Sequence, residues 1–258
     1  MTAELSYAVD ARGVGVLTMN RPAARNAIGW DLLEALRAQV SECAEDANLR
    51  ALVLTATGER AFCAGADLKE RKTYTEAKTR TFVSRIGKLT AELGRLPMPT
   101  VCAINGHAFG GGCELALACD LRVMKRGFQI GLTETALAII PGAGGTQRLP
   151  RLVGLAKAKE LIFTAARLSA DEAEQIGLVN AATDDLEAET ERLVSAILRC
   201  GPLALRSAKT AIEAGFDAGL EEGLRIEQTA YQVIIPTEDR LEALAAFAEK
   251  RPPEFKGR

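Results

Sequence analysis

The chain has 258 residues, with 32 Lys and Arg, 34 Asp and Glu and a single His. That length suits one large domain or one and a half, and a net charge of −2 excludes a broadly basic, nucleic-acid-coating surface. One histidine excludes a His-rich metal site; the six cysteines at 43, 63, 102, 113, 119 and 200 show no CxxC pair and no zinc spacing, so no metal is expected and the thiols read as buried and reduced in a cytoplasmic protein.

The first residues, MTAELSYAVDARG, have no charged n-region and no apolar h-region, so no secretory signal is expected. No apolar run approaches the roughly 18 residues of a membrane span. Leu5, Tyr7 and Val9 alternate, Arg12-Gly13 offers a turn, and Val14, Val16 and Leu17 resume the pattern, which predicts a hairpin. Asn20-Arg21-Pro22 breaks it. From 29 to 46, Leu32, Leu33, Leu36 and Val40 fall on one helical face. Residues 51–55 and 100–104 are continuous apolar runs, the pattern of strands covered on both sides. Between them, 67–96 is mostly polar and helical, ended by Pro97 and Pro99. A glycine run opens a helix over 111–118, and 120–124 and 128–131 predict two more strands. The first half therefore repeats strand, turn and helix, an α/β arrangement. After about 155 the strands are expected to stop. Helices follow near 155–164, 169–176, 186–200 and 202–250, the last breaking at 215–219 and at Pro236, and the tail RPPEFKGR is irregular.

Three segments have a composition that invites chemistry. In AFCAGADLKE (61–70), small residues follow a strand and lead into a helix, so backbone N–H groups can approach a ligand closely. In NGHAFGGGCEL (105–115), three glycines again follow a buried strand and open a helix, whose N-terminus presents unpaired N–H groups. Two such loops side by side could offer two donors to one oxygen, an oxyanion hole. The third segment pairs Thr133-Glu134 with IIPGAGGTQR (139–148). Glu114 and Glu134 both sit among apolar or small residues, where a carboxyl group has a raised pKa and can exchange protons near neutrality. Taken singly, a glycine loop is more often a turn and a lone Glu more often solvated. In this order and combination they are far more specific.

The arrangement resembles the crotonase family, the enoyl-CoA hydratase/isomerase fold. The resemblance runs from NRP at 20–22 to FAEKR at 247–251 and rests on FCAGAD (62–67), GGGCE (110–114) and IPGAGGTQR (140–148). It implies a crotonase spiral of repeated ββα units over 1–195 and a C-terminal helical trimerisation region over 196–258. It implies that the N–H groups of Ala66 and Gly111 form the oxyanion hole for an acyl-CoA thioester. The two catalytic glutamates map to Glu114 and Glu134, the first activating water and the second protonating the α-carbon. Members with both glutamates are typically hydratases. The backbone of Ala64 and Leu68 would hold the adenine and the pantetheine arm. Arg25 and Lys69 stand where basic contacts to the phosphates are expected. Asp67, Phe109, Gly110, Thr133, Pro141 and Gly142 belong to the implied substrate cleft. Phe247 and Lys250 match a pair that often reaches a neighbouring subunit's coenzyme A. Coenzyme A enters only as part of the substrate, with no further cofactor, and the implied assembly is a homotrimer or a dimer of trimers.

Within the family, DLKER (67–71), ETALAIIP (134–141), KELIFT (159–164) and IPTEDRLE (235–242) are similar to the branch that hydrates methylglutaconyl-CoA. Such a substrate carries a distal carboxylate, for which Arg71, Lys72 and Lys69 are the candidates. A general short-chain, crotonyl-CoA hydratase is the alternative. An RNA-binding relative in that branch has a lysine-rich first helix, whereas 31–46 here holds one Arg and five acidic residues, so no RNA affinity is expected. An electrophoretic shift with AU-rich RNA at physiological salt checks this. His107 stands where an apolar residue is usual, either packed, pocket-lining or touching substrate, and Thr133 stands where proline is common. Rival classes fit less well. GxGxxG fails in both glycine clusters, Gly87-Lys88 is followed by Leu89, which excludes a P-loop, and no GxSxG elbow occurs. A thioesterase or dehalogenase of the same fold would usually replace one glutamate, and a non-catalytic acyl-CoA-binding protein has no need of both.

Overall fold

The computed structural model describes residues 4–258. The chain opens on an antiparallel hairpin, β1 (Leu5–Val9) and β2 (Val14–Met19), whose turn is tied by the Asp10 carboxylate accepting the N–H groups of Arg12 and Val14. The helix α1 (Trp30–Glu45) then buries Leu32, Leu33, Leu36 and Val40, the face its spacing predicts.

From there the chain winds three times through one unit. In the first, β3 (Ala51–Ala56) and β4 (Ala61–Cys63) precede α2 (Leu68–Arg71) and α3 (Glu76–Gly94). In the second, β5 (Thr100–Ile104) and β6 (His107–Phe109) precede α4 (Gly111–Ala118). In the third, β7 (Leu121–Lys125) and β8 (Gln129–Gly131) precede a 3-10 turn at Glu134–Leu137 and α5 (Gly145–Val153). The first strand of each unit enters a six-stranded sheet, where β3, β5 and β7 lie parallel. The second enters a four-stranded sheet, where β4, β6 and β8 lie parallel. Parallel neighbours need a crossover, and the helices supply it. This is the α/β spiral of ββα units. Every residue of β5 and residues 51–54 of β3 are buried, as continuous apolar runs require.

Strands do not stop at 155. After α6 (Leu155–Phe163), β9 (Leu168–Ser169) adds an antiparallel edge to β8. After α7 (Ala170–Gln175), β10 (Ala181–Thr183) adds a parallel edge to β7. Two and three residues are too few to show an alternation, and only their partners make them strands. The helix predicted over 67–96 is likewise two helices, and the α5 helix carries no sequence expectation of its own.

The helix α8 (Leu186–Leu198) lays Val194 against Val14, Val53, Val101 and Val123 on the far face of the large sheet, and the expected boundary at 195/196 falls inside it. Beyond Gly201 come α9 (Pro202–Phe216), α10 (Leu220–Ile234) and α11 (Glu238–Glu249), with breaks at the two places the sequence marks. Neither α9 nor α10 buries a residue. The first is tied to the core by Lys209 against Asp120, at 2.8 Å, and by Arg206 donating to the Leu49 carbonyl, at 3.1 Å. Among the described residues no helix is long and apolar enough to cross a membrane.

Candidate active site

The loops that follow β4, β6 and β8 converge on one cavity of about 790 Å³, with Ala66, Gly111, Glu114 and Glu134 all in its wall. The first loop is held open by an isolated parallel bridge between Ile28 and Ala66. Ile28 N–H donates to the Gly65 carbonyl at 2.8 Å, and Asp67 N–H donates to the Ile28 carbonyl at 2.9 Å. In a parallel bridge the residue between those two contacts turns its own N–H the other way, here toward the cavity. Gly111 is the first residue of α4, so its N–H has no acceptor within the helix. A methyl group built on Gly111 would lie 3.8 Å from the Ala66 nitrogen, so the two donors face the same small space. The positive end of the α4 dipole stands behind them. Such a pair suits an oxygen that gains negative charge during a reaction.

The glycine run has separate physical demands at successive positions. Gly110 has φ +52°, and a Cβ there would meet the Glu134 carboxylate at 3.2 Å. Gly112 lies so close to β4 that a Cβ would fall inside 3.0 Å of the Cys63 carbonyl oxygen and side chain. The turn thus brings Glu134 over the loop, and α4 down against β4.

The two carboxylates differ in their surroundings. Glu114 lies on α4, every residue of which is buried, and is 3% exposed. Its Oε1 accepts the N–H groups of Ala143, at 2.7 Å, and Gly145, at 2.8 Å. Burial pushes its pKa up, while these two donors and the Arg148 guanidinium pull it back. Glu134 is 9% exposed and its Oε2 is buried with no hydrogen-bond partner among the described residues. Burial, followed by the neighbouring Glu114 charge, pushes its pKa up to about 7. Glu114, held by two N–H donors and near a guanidinium, is the better-supported anion, and Glu134, without such donors, is the carboxyl that keeps its proton to higher pH.

The structure brings most of the expected residues to this cavity: Ala64, Leu68, Arg71, Gly110, Thr133, Pro141 and Gly142 line it with the central four. Several others it does not. Asp67 is engaged in structure, capping α2 through Lys69 N–H at 3.1 Å and Glu70 N–H at 3.2 Å and pairing with Arg21 at 3.2 Å. Phe109 points away, because residues 107 and 109 share one face of β6 and Ala108 takes the other. Its ring stacks on His107, at 5.5 Å and 15°, and lies under Arg167 at 4.7 Å. His107 is thus a packed residue, with Nδ1 accepting Gln129 N–H at 3.0 Å, and it is not in the cavity wall. Arg25, Lys69 and Lys72 are exposed on the surface outside the lining, and Phe247 and Lys250 lie on α11 and its end, also outside it. The sequence reading omitted Ala143 and Gly145, whose N–H groups hold Glu114; the GAGG run was the signal. It also omitted the apolar walls, Phe82, Val83 and Ile86 from α3 and Leu137, Ile139 and Ile140 from the turn that carries Glu134.

Comparison with known proteins agrees in one direction. Residues 10–258 match the family described as enoyl-CoA hydratase/isomerase. YngF of Bacillus subtilis (strain 168), named provisionally as an enoyl-CoA hydratase/isomerase, is 50% identical over 100% of both chains. Human mitochondrial methylglutaconyl-CoA hydratase is 45% identical over 96% of this chain and 75% of its own. The crystal structure of enoyl-CoA hydratase from Bacillus anthracis superposes with a TM-score of 0.97 at 47% identity, covering 99% of this chain and 100% of that one.

Proposed function

The chain belongs to the enoyl-CoA hydratase/isomerase family, and from that premise we propose that it is a hydratase. It adds water reversibly across the α,β double bond of an enoyl-CoA thioester, with 3-methylglutaconyl-CoA as the preferred substrate and 3-hydroxy-3-methylglutaryl-CoA as the product. The observation that carries the reaction type is the pair of unlike carboxylates beside two inward N–H donors in one cavity.

In this reading the thioester oxygen accepts the N–H groups of Ala66 and Gly111, which draws electrons from the β-carbon. Glu114, ionised, takes a proton from a water whose oxygen bonds to the β-carbon. The π electrons move toward the α-carbon and the thioester oxygen as an enolate. Glu134, protonated, gives its proton to the α-carbon. The carboxylates finish with their proton states exchanged, and exchange with solvent restores them. Dehydration is the reverse.

Substrate choice rests on Arg71. Its guanidinium lines the cavity, 6.0 Å from the centre of the Phe82 ring, and makes no ion pair among the described residues. An unpaired cation in a largely apolar cleft suits a carboxylate at the far end of an acyl chain. The walls otherwise favour the second reading, a short-chain enoyl-CoA hydratase, since Val83, Ile86, Leu137 and Ile139 ask only for an apolar acyl group. Exposed apolar side chains on α9 to α11, such as Ile212, Leu220 and Phe247, support a homotrimer or a dimer of trimers, with Phe247 and Lys250 reaching a neighbour's coenzyme A.

The test is kcat/KM for 3-methylglutaconyl-CoA against crotonyl-CoA, measured side by side, because that ratio reports differential transition-state binding. Preference for the carboxylated substrate supports the proposal, and preference for crotonyl-CoA replaces it with the short-chain reading. Arg71→Leu is expected to lower kcat/KM for methylglutaconyl-CoA by about 10²-fold, the order of a lost charged hydrogen bond, and for crotonyl-CoA by less than about 3-fold. Equal losses on both substrates would remove Arg71 from specificity.

A further inference from the structure

The N–H groups that hold Glu114 come from a loop, and a loop aims its donors only as well as it is itself held. The Ala143 peptide is gripped on both sides. Its N–H donates to Glu114. Its carbonyl accepts the Thr90 hydroxyl at 2.6 Å and Arg148 Nη1 at 3.2 Å. Thr90 lies on α3 and is 1% exposed; Arg148 lies on α5, and its Nη2 also donates to the Thr90 carbonyl at 2.9 Å. The three groups form a closed knot between two helices. Gly144, at φ +100°, leaves the room for it, because a Cβ there would fall inside 3.0 Å of Arg148 Nη1. Arg148 has no carboxylate hydrogen-bond partner among the described residues, so a half-buried guanidinium is spent on two backbone carbonyls. Neither Thr90 nor Arg148 lines the cavity that holds the two glutamates.

We propose that Thr90 and Arg148 are positioning residues for Glu114: they clamp the Ala143 carbonyl so that the N–H groups of Ala143 and Gly145 stay aimed at its carboxylate. The inference rests on the acid–base reading of Glu114 given above. The clamp acts through the peptide and through charge, since Arg148 also favours the ionised carboxylate. The charged and titratable groups that face Glu114 are Glu134 from the 3-10 turn, Cys113 from α4 and Arg148 from α5, with Arg71 in the same cavity wall. Arg148 is faced in turn by Arg95, Cys119 and Glu213. Loss of the clamp withdraws support from the anion, so Glu114 holds its proton to higher pH and the acidic limb of the rate profile moves upward.

The experiment compares Thr90→Val, Arg148→Met and Arg148→Lys with the parent protein. One readout is kcat and KM against pH with an enoyl-CoA. The other is titration of the Glu114 carboxyl by carbon NMR of glutamate-labelled protein, assigned with Glu114→Gln. Arg148→Met is expected to lower kcat by about 10-fold or more with KM changed less than about 3-fold, and to move both the acidic limb and the Glu114 titration up by about one pH unit. Thr90→Val is expected to lower kcat by a few-fold in the same manner, by about the worth of one hydrogen bond. Arg148→Lys keeps the cation without the fork, so it restores the pH position more fully than kcat. Folded Thr90→Val and Arg148→Met proteins whose Glu114 titration matches the parent would overturn the inference. If Arg148→Met fails to fold, Thr90→Val and Arg148→Lys decide it by the same titration. If the parent hydrates no enoyl-CoA, the hydratase reading falls, and the NMR titration still judges the clamp.

Discussion

Replacing Glu134 by Gln should stop hydration and stabilise the protein. The expected loss in kcat is about 10³-fold, within the usual range for a positioned proton donor, and Glu114→Gln should lose a similar factor through the water-activating step. Both variants should still bind acyl-CoA, because neither side chain supplies the oxyanion donors. The stability change has a definite sign. The folded Glu134 carboxyl titrates at about 7, above its ordinary value of 4.5. Between those two values the unfolded chain releases its proton first, so rising pH favours unfolding, and the whole penalty is present above about pH 7. A neutral glutamine carries none of it. Glu134→Gln should therefore melt higher than the parent at pH 8, by at most about 3 kcal/mol, and close to the parent at pH 4.5. Thermal melts at the two pH values check this. Equal melting differences at both would show that the Glu134 carboxyl is not held neutral by its burial. The same group sets the alkaline side of the rate profile: hydration should fall as pH rises through about 7, when the donor loses its proton.

Gly112→Ala should cost the protein a large part of its stability. The added carbon would fall inside 3.0 Å of the Cys63 carbonyl oxygen, Cβ and carbonyl carbon, which are backbone and core atoms of β4 that cannot swing away. The helix α4 would have to lift off β4, at a cost of about 3–5 kcal/mol from the 5–15 kcal/mol that holds a typical domain. In a chain of this length that is a fall in Tm of roughly 10 °C or more. Its neighbour behaves oppositely. A methyl on Gly111 meets the ends of two flexible side chains, Ile86 Cδ1 at 3.3 Å and Ile28 Cδ1 at 3.5 Å, so Gly111→Ala should fold. It should nevertheless lose about 10²–10³-fold in kcat, because the methyl intrudes beside the two inward N–H groups. Melting curves and initial rates on the two variants separate the roles. A Gly112→Ala protein that melts with the parent would mean that α4 does not sit on β4 as closely as described.

Much of the fold was readable in the chain because its signals are local. Residues 51–54 and 101–104 have no charged or strongly polar position, the pattern of strands covered on both faces, and both runs are buried strands. The helix over 29–46 shows its buried face in its spacing, and the helix Gly111–Ala118 opens within the glycine run. The glycine loops after two buried strands announced backbone donors, and two glutamates among small residues announced unusual acids. What stayed hidden depended on distant partners. The edges β9 and β10 are two and three residues long and become strands only beside β8 and β7. Asp67 looks like a cleft residue until Arg21, 46 positions earlier, takes its carboxylate. Phe109 adjoins the glycine run but the period-two alternation of β6 turns it toward His107.

The division has one physical cause. Residue type and spacing along the chain determined which segments are strands and helices, which loops could bare their N–H groups, and which carboxylates would be costly to ionise, since each of these depends on neighbours a few residues away. Only the tertiary structure decided that Glu114 would be fed by Ala143 and Gly145, 29 and 31 positions downstream, and that Glu134 would be left with a buried oxygen unpaired. It also decided that of Lys69, Arg71 and Lys72 only Arg71 would reach the cavity. A hydrogen bond or an enclosed charge is set by distances of a few ångströms, and those distances exist only once three turns of the spiral have closed on one another.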